Sequence, residues 1–221
     1  SGQLSRGKTD ALPTGRNFYS IDLACIPTPA AQEVGQGMGE KLLRAYLADE
    51  GKLPETIGIT LWSTDAFQSD GELAAQILWL LGCTAKRAAN GKVTGVDALP
   101  LDSLTLTLAD GQTMPRPRID VVVQMSCVVR DLLPNIYALF DQAVQKVSEL
   151  DEPDERNFVR AHVRVRLTEL RGTLKDHDDA SLKRLASYRC FSCGDGGYGG
   201  GVGLALDASA WEDDTDLAEA L

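Results

Sequence analysis

Basic charge, histidine and long apolar runs are all scarce in this chain of 221 residues. It carries 22 Lys and Arg against 32 Asp and Glu, a net charge of −10. A nucleic-acid binder needs a basic footprint for phosphate contacts, so that class is disfavoured. Local basic groupings remain, for example Arg116 with Arg118, and Arg160 and Arg164 with Arg166. No apolar run is long enough to span a bilayer. The opening "SGQLSRGKTD" is polar, reads as a domain edge, and has no signal-peptide core. The expected setting is cytoplasmic. Five cysteines are an odd number without a scaffold spacing, which argues against a secreted disulfide framework. No Gly-Lys-Ser/Thr follows any glycine run, so a P-loop is lacking. No internal repeat is visible.

What is present fits an ordinary globular chain, with 43% apolar residues. Thr28-Pro29 reads as a helix N-cap followed by Pro at the first position. Ala31, Val34, Met38, Leu42, Ala45 and Tyr46 then recur at helical spacing, so 29–49 is expected to be an amphipathic helix that Gly51 stops. "TIGITLW", Thr56 to Trp62, reads as a short buried strand. Ser69 and Glu72 form a possible capping box before a helix that Gly82 ends. "KVTGVDALP" suggests a further strand. Leu104, Leu106 and Leu108 alternate up to Asp110-Gly111, a hairpin signal. "IDVVVQMS" is the strongest strand in the chain. Asp131 is placed to cap a helix over 132–149. Helices are expected over about 153–171 and 178–188, and Ser209 with Glu212 is a second possible capping box.

Strands alternating with helices predict an α/β fold, a Rossmann-like layered α/β/α sheet, followed by a helical C-terminal region with a Gly-rich loop. The expected division is an N-terminal loop segment 1–28, an α/β domain 29–150 and a C-terminal region 151–221. In such sheets ligands meet the loops at the C-terminal ends of the strands. Those loops are "STDAFQSDG" and "CVVRD", which offer Thr64, Asp65, Arg130 and Asp131.

Each candidate for chemistry has a plainer competitor. "GDGGYGGGVG" holds seven glycines in ten residues and contains a formal GxGxxG at Gly194, Gly196 and Gly199. It follows a helix and "RCFSC" rather than a strand, and no helix opens directly after it, so a tight or flexible loop is the simpler reading than a phosphate cradle. Tyr198, alone among these glycines, is suited to stack on a planar ligand. Cys190 and Cys193 make one CxxC, but structural zinc takes four ligands and no second pair is at hand, so two reduced thiols are the simpler reading. His162 lies near the apolar face of its helix, where it is either a satisfied boundary histidine or an imidazole free to take a proton or a metal. His177 sits in a solvated acidic loop. "WEDD", Trp211 to Asp214, is a helix start whose carboxylates also suit a hydrated cation.

A set of collinear segments carries a further signal: "DALPTGRNFYSID", "IPTPAA", "ITLWSTD", "LAAQILWLLG", "VTGV", "RPRIDVVV", "RDLLPN", "LDEPDERNFVRAH", "GGYGGGV" and "WEDDTDLAEA". In this order they resemble the C-terminal part of the large subunit of ATP-dependent metal chelatases, a family that includes the aerobic cobaltochelatase large subunit and the magnesium-chelatase porphyrin-binding subunit. The resemblance runs from about Thr9 to Leu221, and "PTGRNFYSID" is closer to the cobaltochelatase branch. It implies a reaction in which a divalent metal, Co²⁺ or Mg²⁺, enters a cyclic tetrapyrrole while separate AAA+ motor and adaptor subunits use ATP. ATP is then not bound by this chain, and the chain is a fragment of a longer subunit, inactive alone.

On the cobalt branch the resemblance implies a corrinoid of the hydrogenobyrinic acid diamide type, in cobalamin biosynthesis. On the magnesium branch it implies a porphyrin. Metal insertion needs a base for two pyrrolic protons, donors that escort the metal, and partners for the ring's edge and face. The expected roles are ring or carboxylate contact for Arg16, Asn17, Tyr19, Arg130 and Tyr198, with Phe18 beside them. Proton handling falls to His162 with Asp65, and metal handling to His162 with Glu212. "CFSCGDGGYG" replaces the family's "FG–PGAYG"-like segment, "RAH" replaces "RKH", and "LTLTLADGQTMP" reads as an insertion. The competing reading is a non-catalytic docking module for the motor subunits.

Overall fold

The computed structural model describes residues 22–63 and 69–194. The Thr28 hydroxyl accepts the Ala31 N–H at 3.2 Å, Pro29 fills the first helical position, and Gly51 closes the helix in the left-handed region at φ 71°. These ends define α1, Pro29–Glu50, close to the expected span. Its buried face differs from the expected one. Ala31, Gly35, Gly39 and Leu43 are buried, whereas Val34, Leu42 and Tyr46 are 46%, 37% and 37% exposed.

The reason is close packing against α2, Glu72–Leu80. A Cβ on Gly35 would lie 2.5 Å from the Glu72 carbonyl oxygen, and one on Gly39 would run into the Trp79 indole. Glycine at these two positions lets the backbones approach, and the large side chains of α1 are left on the outside. Ser69 Oγ accepts the Glu72 N–H at 3.2 Å, as the expected capping box requires. Gly71 is the residue at the N-cap itself.

Three strands form a parallel sheet in the order β1-β6-β7. They are β1, Thr56–Leu61; β6, Asp120–Met125; and β7, Cys190–Phe191. Thr56 pairs with Asp120 and Leu61 with Met125, so β1 and β6 start and finish together. β1 was expected to be buried; only Leu61 is, because β1 is an edge strand. Two antiparallel hairpins lie apart from this sheet. One pairs β2, Cys83–Arg87, which the sequence pattern did not reveal, with β3, Val93–Ala98. The other pairs β4, Thr105–Thr107, with β5, Thr113–Pro115, through the expected Asp110-Gly111 turn.

Asp131 caps no helix. It lies inside α3, Cys127–Leu132, and the next helix, α4, Pro134–Ser148, starts from Leu133 because Pro134 takes the first position. α5, Phe158–Thr173, begins five residues later than expected. The Asn157 side chain caps it by accepting the Arg160 N–H at 2.9 Å, and residues 153–156 form the turn before it. α6 is Asp179–Ala186. After it the chain returns to the sheet as β7, beside β6, so the segment beyond 150 contributes a strand to the same sheet. The main core joins Leu61, Ile77, Leu80, Ile119, Val121, Val123, Phe140, Val144 and Val159. A smaller one gathers Leu170, Leu182 and Ala186.

Most of the arginines in the two basic groupings are structural. Arg116 and Arg118 are 1% and 0% exposed. Arg116 lies 3.7 Å from the Trp79 ring centroid and donates to the Trp79 and Leu80 carbonyls at 2.6 and 3.3 Å. Arg118 donates to the Gly82 and Leu99 carbonyls at 2.7 and 2.6 Å, and grips Glu152 through two contacts of 2.8 and 2.9 Å. The pair thus gathers carbonyls from the end of α2 and, through Leu99, from the segment after β3. Arg160 donates to the Glu152 carbonyl, and Arg164 reaches Asp154 at 2.9 Å. The "RPR" and "LDEPDERNFVR" segments are therefore a clamp between α2, β6 and α5.

Candidate functional site

β6 carries one charged residue, at its start. There Asp120 is 2% exposed, and a buried carboxylate needs partners for both oxygens. Oδ2 lies 2.9 Å from His162 Nδ1 on α5. Oδ1 accepts from Arg189 Nε at 2.8 Å, at the start of β7. Arg189 is itself anchored, since its Nη1 donates to the Ala186 and Tyr188 carbonyls at 3.0 Å each. The Thr56 hydroxyl is 3.5 Å from His162 Nδ1. The other ring nitrogen, Nε2, is 3.8 Å from Glu55 Oε2. Phe158, one turn earlier on α5, stacks on the imidazole with centroids 6.3 Å apart and planes 19° apart.

Thr56, Asp120, His162 and Arg189 line an open cavity of about 630 Å³. Its polar wall holds Thr56, Asp120, His162, Arg166 and Arg189, and its apolar surface includes Val122, Leu170, Leu185 and Phe191. The cavity opens beside the first residues of β1 and β6. It therefore sits at the N-terminal ends of the parallel strands, opposite the end where the sequence reading looked for a ligand.

Arg130 is at that other end, on α3 just after β6. Its Nε contacts Asp131 Oδ1 at 2.8 Å and its Nη1 donates to the Cys193 carbonyl. The hydrogen bond from Arg130 holds the Asp131 carboxyl below its ordinary range. Arg130 and His162 thus belong to opposite ends of one strand and do not form a common site. Cys193 is joined to Cys127 by a disulfide, so the expected pair of reduced thiols at Cys190 and Cys193 does not hold; the partner comes from α3, 66 residues away. Cys190 remains a thiol, and burial pushes it up to about 12. The roles given to Arg16, Asn17, Tyr19, Asp65, Tyr198 and Glu212, and to the Gly-rich loop, lie outside the described residues.

Asp120, Arg189 and Glu55 were not singled out by the sequence reading. A signal for Asp120 exists: it is the one charged residue in "IDVVVQM". Nothing local marks Arg189, because its partner is 69 positions away. Among the described residues no three His, Cys, Asp or Glu side chains gather as a metal-holding group. His162 Nε2 with Glu55 is a two-donor arrangement, suited to brief contact with a cation or to taking up a proton. Among the described residues no helix is long and apolar enough to cross a membrane.

Comparison with known proteins adds an independent finding. The family model described as CobN/Magnesium Chelatase matches residues 1–221. The chain is 38% identical over 221 residues to the aerobic cobaltochelatase subunit CobN of a Sinorhizobium species, covering 100% of this chain and 16% of that protein. It is 38% identical over 209 residues to the chloroplastic magnesium-chelatase subunit ChlH of Oryza sativa subsp. indica, covering 94% of this chain and 14% of that one. Among solved structures, the catalytic subunit of cobaltochelatase from Mycobacterium tuberculosis matches with a TM-score of 0.75 and 33% identity, over 93% of this chain and 16% of that one. The chain thus spans 14–16% of the length of these relatives.

Proposed function

The chain belongs to the CobN/magnesium chelatase family, and from that premise we propose that it is the C-terminal portion of a chelatase large subunit that helps insert a divalent metal into a cyclic tetrapyrrole. Metal and macrocycle are both substrates. The observation that carries the reading is His162, whose Nδ1 is bound to buried Asp120 and whose ring lines an open cavity. His162 takes up a pyrrolic proton or passes on the metal. Imidazole suits borderline metals, whereas Mg²⁺ prefers oxygen donors, so Co²⁺ and a corrinoid of the hydrogenobyrinic acid diamide type are favoured over Mg²⁺ and a porphyrin.

The same reading keeps Arg16, Asn17, Tyr19 and Tyr198 as contacts for the ring and its edge groups, and Arg130, at the opposite end of β6, as a contact separate from the His162 cavity. It assigns Asp65 a part in proton handling and Glu212 a part in metal handling. AAA+ motor and adaptor subunits in the cytoplasm use the ATP, and the isolated chain is inactive. The architecture extends to a Rossmann-like layering with a Gly-rich loop.

Titration of the folded chain with a metal-free corrinoid and with protoporphyrin, read by absorbance and tryptophan quenching, tests the substrate assignment. Saturable binding of the corrinoid, weakened by Arg16→Ala or Tyr198→Ala, is the expected result. Absence of binding to either ring contradicts it. The second reading, a docking module, is favoured by one observation: Val34, Leu42 and Tyr46 leave an apolar stripe open on α1. That reading expects retention of the motor subunits with no affinity for either ring.

A further inference from the structure

We infer that Asp120 and Arg189 act as positioning residues that set the tautomer of His162, placing its proton on Nδ1 and leaving Nε2 as the acceptor beside Glu55. The inference rests on the reading of His162 as the group that takes up a proton or metal, and adds which atom does so and what selects it.

Donors and acceptors decide where the proton sits. Arg189 has only N–H groups to offer, and its Nε uses Asp120 Oδ1 at 2.8 Å. A carboxylate paired with a guanidinium accepts hydrogen bonds and does not donate them. The proton between Asp120 Oδ2 and His162 Nδ1, 2.9 Å apart, therefore sits on nitrogen. An imidazole with one proton on Nδ1 has its lone pair on Nε2. Phe158 fixes the plane of the ring by stacking. Arg189 is held in turn by the Ala186 and Tyr188 carbonyls, so the chain of contacts ends on backbone. This is the pattern by which a carboxylate orients a metal-binding or proton-accepting histidine.

The decisive substitution is Asp120→Asn. The amide offers one oxygen and one NH₂. Arg189 only donates, so it takes the oxygen, and the NH₂ turns toward His162. Nδ1 must then accept, and the proton moves to Nε2. Removing the arginine as well, in D120N/R189A, leaves nothing to fix the sense of the amide.

The experiment is long-range ¹H–¹⁵N NMR of the ¹⁵N-labelled chain above the titration range of histidine, which reports directly which ring nitrogen of His162 is protonated. Assignment comes from the loss of the signals in His162→Gln. The expected result is a protonated Nδ1 in the unsubstituted chain, a protonated Nε2 in D120N, and loss of that inversion in D120N/R189A. A protonated Nε2 in the unsubstituted chain overturns the inference without any variant having to fold. An unchanged tautomer in a folded D120N protein overturns it too, and an inversion that persists in D120N/R189A removes Arg189 from it. The reading of His162 fails separately: inverted tautomers with undiminished metal insertion by a full-length D120N subunit would leave the positioning intact and the functional role refuted.

Discussion

At the scale of single residues, the charges that matter here are the ones the fold has taken out of water. Arg118 and Glu152 form a buried bidentate pair, with side chains 1% and 13% exposed. Removing one partner strands the other, so Arg118→Ala is expected to cost about 3–5 kcal/mol, measured by urea unfolding. An effect below about 1 kcal/mol would show that the clamp between α2 and Glu152 holds nothing. The same logic applies to thiols. Cys83 is 3% exposed, and burial pushes it up to about 12. A thiol reacts as its thiolate, so native Cys83 is expected to resist alkylation at pH 8 and to label only on unfolding. Labelling at the rate of a free thiol would contradict its placement against the core.

At the scale of elements, the contact of α1 with α2 is made by two residues that contribute no side chain. Gly35 and Gly39 let α1 lie against Ala75 and Trp79 of α2. Gly39→Ala puts a methyl group into the Trp79 ring, and a loss of about 1–3 kcal/mol is expected from overpacking. A gain instead, as replacing a helical glycine normally gives, would mean that Trp79 moves aside freely. This contact also explains where the sequence was legible.

Three element ends were readable because they are local chemistry. Thr28-Pro29, Gly51 and the turn at Asp110-Gly111 act within a few residues, and the structure keeps each of them. The packing face of α1 was not readable. Large apolar residues at helical spacing normally mark the buried side, and here glycines took that role. The same limit hid the site. His162 was readable as a histidine on a helix, but Asp120 is 42 positions before it, and Asp120 and Arg189 are 69 positions apart. Only the pairing of β6 with β1 and β7 brings those groups together.

At the scale of the whole molecule, β7 is short and is secured at both ends. Arg189 ties its start to Asp120, and the Cys127–Cys193 disulfide ties the chain after it to α3. A cross-link closing a long loop restricts the unfolded chain, so reducing it, or Cys193→Ser, is expected to cost about 2–4 kcal/mol. Equal stability of the oxidised and reduced chains would show that β7 is held by other contacts. The proposal of metal insertion into a tetrapyrrole rests on family membership and on a histidine backed by a buried carboxylate. The most direct test of that account is the rate of Co²⁺ insertion into a metal-free corrinoid by the full-length subunit with its motor partners and ATP, with and without His162→Ala. A loss of about 100-fold or more, in a variant that still binds the corrinoid, is the result expected for a lost proton acceptor. An unchanged rate would contradict the account and return His162 to the role of a boundary residue that only ties α5 to the sheet.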